Sequence, residues 1–185
     1  MREIIQKETN PHNKMAESFL NIKLSGKGNI LSYSGGQLKL SKNFEKRLGD
    51  KGLLKRDVVE IAGMIRDKIE ANIRNAKTFT GRPVAPLKPS TIKRKKHSRP
   101  LYETGKLASS VMVETKGSAA VVRLKADRAE IGGYLQVGRS DMKARPFFGI
   151  TKKDLSMFTK SVITDRLFKK ENRLSGFQNL QRRAV

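Results

Sequence analysis

The densest run of chemistry-bearing residues in this chain is Lys93-Arg94-Lys95-Lys96, with Lys88 before it and Arg99 after it. Between Arg82 and Lys106 there are eight Lys/Arg and one acid, Glu103, so any fold containing the segment presents concentrated positive charge there. Ammonium and guanidinium groups at this density suit phosphate or carboxylate partners. Phosphate contacts position a protein without reading bases, and beyond Tyr102 no aromatic residue is interleaved to stack on them. No helix-turn-helix or zinc-finger pattern accompanies the charge, so sequence-specific recognition is not expected. Lys88, Lys93, Arg94, Lys95, Lys96 and Arg99 are the candidate contacts to a DNA channel or to an acidic protein partner. The plainer alternative is a solvated basic surface.

Groups suited to catalysis are sparse. The two histidines are His12, near a proline, and His97, inside the basic run; neither has a companion at metal-ligand spacing, and no metal or cofactor is expected. Phosphate-binding glycine loops, nucleophile elbows and zinc-protease motifs are missing from the sequence. Asp50, Asp57, Glu60 and Glu70 fall at helical spacings, where surface ion pairs explain them better than paired catalytic carboxylates. The expectation is a protein that is not an enzyme.

A chain of 185 residues suits one domain with appendages. Its apolar fraction of 37% and formal charge of +23 favour polyanions or acidic proteins as partners. Without cysteine there are no disulfides or thiolate metal sites. No window approaches the roughly 18 apolar residues of a membrane span, and the start lacks an apolar signal core; a soluble intracellular product without membrane contact is expected.

The basic run lies in a stretch, Phe79 to Leu107, where Pro83, Pro86, Pro89 and Pro100 forbid a continuous helix. An ordered arm or a long exposed loop is expected, with Gly81 and Gly105 at turns needing positive φ and Leu101 and Leu107 anchoring its return to the core. Upstream, residues 1–36 read as an N-terminal extension or arm with turns at Gly26-Lys27-Gly28-Asn29 and Ser34-Gly35-Gly36. Leu38-Lys39-Leu40 alternates like a strand, and Ser41 can cap a helix from Lys42 to Leu48 closed by Gly49. From Lys55 to Lys77, Val58, Ile61, Ala62, Ile65, Ile69, Ile73 and Ala76 recur at spacings of three and four, the signature of a long amphipathic helix.

Beyond the arm, Val111 to Val113, Ala120 to Leu124 and Ala129 to Val137 read as a three-stranded antiparallel meander, with Gly132 and Gly133 as a bulge. Thr151-Lys152-Lys153-Asp154 is a capping-box variant opening a helix from Lys152 to about Lys170, striped by Leu155, Phe158, Val162, Ile163 and Leu167. Residues 171–185 form a basic, mobile tail. The expected fold is α+β: a long amphipathic helix and a C-terminal helix packed on an antiparallel β-meander, with an extended N-terminal arm and a proline-rich basic loop.

Four segments in fixed order then carry a family likeness: Phe79-Thr80-Gly81-Arg82-Pro83-Val84-Ala85-Pro86-Leu87-Lys88-Pro89-Ser90-Thr91; Leu101-Tyr102-Glu103-Thr104-Gly105-Lys106-Leu107; Tyr134-Leu135-Gln136-Val137-Gly138; and Ala144-Arg145-Pro146-Phe147-Phe148-Gly149-Ile150. Together they resemble the virion morphogenesis, or tail completion, proteins of tailed bacteriophages, which include the G-type protein of Mu-like phages. The likeness spans roughly Gln37 to Thr151, so residues 37–170 are taken as the family's domain. It departs from the family at Val84 and Val137, where the family usually has aromatic residues.

The resemblance implies a structural role without chemistry. The chain would be a homo-oligomeric ring subunit, usually sixfold, at the neck where a finished tail joins a DNA-filled head. Its partners would be a tail terminator or tail tube protein, a head-completion or connector protein, and packaged double-stranded DNA. Made in the host cytoplasm, it would reside in the virion at the neck or tail end. Phe79, Leu87, Arg145, Phe147 and Phe148 are then candidates for subunit contact or arm docking, and Arg145 for pairing with a helix acid or a neighbouring subunit. The rival expectation is a sequence-independent nucleic-acid-binding protein acting free in the cytoplasm.

Overall fold

The computed structural model describes residues 21–27, 30–33, 36–39, 52–139 and 142–183, with the backbone alone for 36–39 and 170–183. In chain order the elements are strands β1 (Asn21–Lys27), β2 (Ile30–Tyr33) and β3 (Gly36–Lys39), then helices α1 (Lys55–Arg74) and α2 (Pro89–Lys95). A 3-10 turn at Ala108–Ser110 leads into strands β4 (Val111–Lys116) and β5 (Ala119–Leu124), followed by helices α3 (Ala126–Val137) and α4 (Lys152–Arg183). The architecture is α+β, with helices packed on an antiparallel sheet of order β3-β2-β1-β5-β4.

The described residues divide into two compact units, one falling within 23–65, 113–121 and 151–183, the other within 21–22, 66–112 and 122–150. In the first, β1, β2 and β3 form an antiparallel meander, with Lys27 paired to Ile30 and Tyr33 to Gly36. Gly26 and Lys27, read as the start of a turn, are the end of β1, and Gly36, read as a turn residue, opens β3. Along β1, Ile22 and Leu24 are buried while Asn21 and Lys23 are exposed, the period of two of a half-buried strand, and Leu31 of β2 is fully buried. Ile22, Leu24 and Leu31 therefore belong to the core, where an arm was expected. Residues 1–20, the helix expected from Lys42 to Leu48 and Asp50 lie outside the described residues.

The start of α1 packs on β1: a Cβ added at Gly26 would lie 2.9 Å from Val58 Cγ2 and 3.0 Å from Leu53 Cβ. Val58, Ile61, Ala62 and Ile65 are buried as the helical stripe requires. Asp57, read as a surface ion pair, is instead buried; its carboxylate accepts from the Leu54 amide at 2.7 Å and from the Arg166 guanidinium of α4. Arg166 also donates to the Gly52 carbonyl at 2.9 Å, tying α4 to the residues before α1.

The capping box of α4 forms as read. Thr151 Oγ1 accepts from the Asp154 amide at 3.1 Å and donates to its carboxylate at 2.7 Å. Leu155, Phe158, Val162, Ile163 and Leu167 are all buried. The helix does not stop near Lys170 but continues to Arg183. No proline intervenes between Lys152 and Arg183, and Lys, Arg, Glu, Gln and Leu favour the helical state.

In the second unit, Ile69 and Ile73 of α1 are buried, as is Asn72. The helix ends at Arg74, three residues short of the expected Lys77, with Ala76 left-handed at φ 50°. The meander's expected third strand is helix α3. Its Ile131, Tyr134 and Val137 favour strands, but Tyr134 and Leu135 also follow Ile131 at helical spacing. Asp127 sits in the first turn, Tyr134 Oη bonds Glu130 at 3.0 Å one turn away, and Gly132 and Gly133 are buried helical residues rather than a bulge.

Candidate functional site

The arm leaves α1 through a tight loop. The Thr78 amide donates to the Arg82 carbonyl at 2.7 Å, the Gly81 amide to the Thr78 carbonyl at 2.9 Å, and Gly81 takes φ +87° as expected. Gly105 is likewise left-handed at φ +77°. After Pro86 the backbone winds into α2, with Pro89 in the first turn, where its missing amide costs no helical bond. Lys96 closes α2 in the left-handed conformation, its amide donating to the Ile92 carbonyl at 2.8 Å. The prolines therefore interrupt the stretch without excluding helix, and the basic run occupies the last turn of α2 and its cap.

That geometry divides the run. Lys88, Arg94 and Lys95 line a groove of about 740 Å³, whereas Lys93, Lys96 and Arg99 do not. Arg99 instead donates to the Arg74 carbonyl and lies 4.7 Å from the Tyr102 ring centre. His97, expected as a loop residue, follows the cap of α2 with its ring edge to Tyr102 at 5.9 Å.

The groove runs between the arm and α3. Leu87, Leu101, Leu107, Ile131 and Leu135 supply aliphatic lining, and Leu101 is buried with φ 57°, a costly conformation for a branched residue that its burial holds in place. Arg128, Arg139 and Lys143 also line the groove, cations that stand well apart from the basic run in the sequence and that only folding gathers there. No local signal marked them; the one trace was the chain's overall surplus of charge.

Arg145 fastens the arm. It is buried, with its Nε donating to the Ala85 carbonyl at 2.8 Å and its Nη2 to the Pro86 carbonyl at 2.9 Å, while its own amide donates to Leu135 at 2.7 Å. Burial pushes its pKa below the ordinary value, and the two carbonyls offset part of that desolvation. Neither a helix acid nor a second subunit is needed to explain it. The Phe79 amide donates to the Pro146 carbonyl at 2.9 Å, and its ring lies over Gly149, where a Cβ would come within 2.9 Å of Phe79 Cγ. Gln136 donates to the Phe148 carbonyl at 2.7 Å and accepts the Phe148 amide at 3.0 Å.

Phe147 and Phe148 pack edge to face at 6.3 Å and are 0% and 2% exposed. Both are core residues of the chain itself. Asn72 reaches the Phe147 carbonyl at 3.4 Å, a buried polar contact the apolar stripe of α1 gave no reason to expect. Among the described residues no three His, Asp or Glu side chains are grouped as metal ligands, and no helix is long and apolar enough to cross a membrane. No protein-family model, curated protein or solved structure matches the chain.

Proposed function

We propose that the chain is a structural subunit of a tailed-phage particle, a ring component at the head-tail junction that completes the tail and joins it to the DNA-filled head. What supports this is the convergence of the four resembling segments. The first and fourth are tied by Arg145 and Phe79, the third and fourth by Gln136, and the second lines the groove alongside the others. Residues that maintain one shape through backbone carbonyls and buried rings suit a scaffold, and their shared order suits a common scaffold.

In this role the ring is a homo-oligomer whose neighbours are a tail terminator or tail tube protein on one side and a head-completion or connector protein on the other. Its exposed cations Lys93 and Lys96 suit packaged DNA or an acidic surface. The test is genetic. A phage deprived of this chain is expected to accumulate finished tails and full heads unjoined, and the wild-type chain supplied in trans restores virions. Normal virion yield without the chain, or its absence from purified particles, overturns the proposal; absence from particles together with salt-sensitive DNA binding favours a free nucleic-acid binder.

A further inference from the structure

We propose that the groove between the arm and α3 docks an acidic peptide segment bearing apolar side chains, contributed by a neighbouring protein. Eight cations line it and one acid does, Glu103, which is already paired with Lys95 at 3.3 Å. Among the described residues no ion pair engages Arg94, Lys106 or Lys143. Arg128 Nε is enclosed without a hydrogen-bond acceptor, since the Asp127 carboxylate lies 3.6 Å away. The Arg128 side chain as a whole is 26% exposed and adds a further cation to the lining.

The floor decides between classes of anion. Ile131 stands 47% exposed in a groove also lined by Leu87, Leu107 and Leu135, so an occupant with aliphatic side chains removes apolar surface from water. A nucleic-acid strand brings charge but needs stacking faces. The two tyrosines of the lining each have a guanidinium over the ring, Arg99 at 4.7 Å from Tyr102 and Arg139 at 4.9 Å from Tyr134. A volume of about 740 Å³ also lies within the roughly 300–1,000 Å³ of ordinary ligand pockets, too small for a duplex.

The occupant's origin in the particle rests on the neck role proposed above, but its affinity is measured on the purified chain, so failure of one is distinguishable from failure of the other. Three fluorescent probes of equal charge are compared by anisotropy at physiological salt: a short peptide of glutamate and leucine, one of glutamate and serine, and oligothymidine. The leucine peptide is expected to bind about tenfold more tightly than either of the others. Arg94→Glu with Lys143→Glu should weaken it by about tenfold or more, and Ile131→Ser should remove most of the advantage over the serine peptide. Lys93→Glu with Lys96→Glu makes the same charge change outside the groove and should matter far less, with all variants melting as the wild type does. Equal losses from the two charge-reversed pairs, indifference to leucine, preference for oligothymidine, or no binding of the leucine peptide overturns the proposal.

Discussion

Asp57 shows how one residue changes meaning on folding. At helical spacing from Glu60 it looks like a surface acid, yet its side chain is 2% exposed and bound by Arg166, itself only 13% exposed. Removing one partner of a buried pair leaves the other charge uncompensated, so Asp57→Ala should cost about 3–5 kcal/mol. Asp57→Ala combined with Arg166→Met should cost clearly less than the sum of the single changes; additive losses in urea denaturation would show that the two side chains act separately. Gly138 is the second case. At φ +83° its added Cβ would meet the Met142 carbonyl oxygen at 2.8 Å and the Ala144 nitrogen at 2.9 Å, both backbone atoms that cannot swing aside. Gly138→Ala should therefore lower stability by more than about 1 kcal/mol, and an unchanged melting curve would contradict that turn.

Among the elements, α1 is the most legible, because six apolar positions from Val58 to Ile73 describe one face at helical spacing whatever the chain packs against. Ile65 and Ile69 are fully buried, and truncation of either to Ala should cost about 2–5 kcal/mol. Exposed Glu60→Ala should stay within about 0.5 kcal/mol; equal shifts for the two classes in thermal melts would sink the assignment of faces. The segment expected as a third strand is a helix, and the ambiguity has an equally physical cause. Ile131, Tyr134 and Val137 carry β propensity, the two glycines weaken helix propensity, and a strand and a short helix both explain a run of that length.

For the whole molecule, charge is the dominant fact. At +23, copies of the chain repel one another at every approach, so under the role proposed above the isolated protein should stay below ring size at moderate salt and assemble only with acidic or tail-derived partners. Light scattering checks this; a stable ring of the purified chain alone would mean that the subunit interface overcomes the repulsion unaided.

The sequence by itself determined what depends on neighbours a few residues away. It marked the buried face of α1, the stripe and capping box of α4, the positive φ of Gly81 and Gly105, and the positive charge of the arm, since each follows from local periodicity or local sterics. Folding alone decided the non-local pairings. Asp57 meets Arg166 across 109 positions and Arg145 meets Ala85 across 60, and neither leaves a periodic trace. The same holds for the groove: the twist of α2 parts Arg94 and Lys95 from Lys93 and Lys96, and α3 with the residues after it brings Arg128, Arg139 and Lys143 to the same lining. A linear run of charge becomes a lined site only when a helix gives it faces and a distant segment adds to the lining.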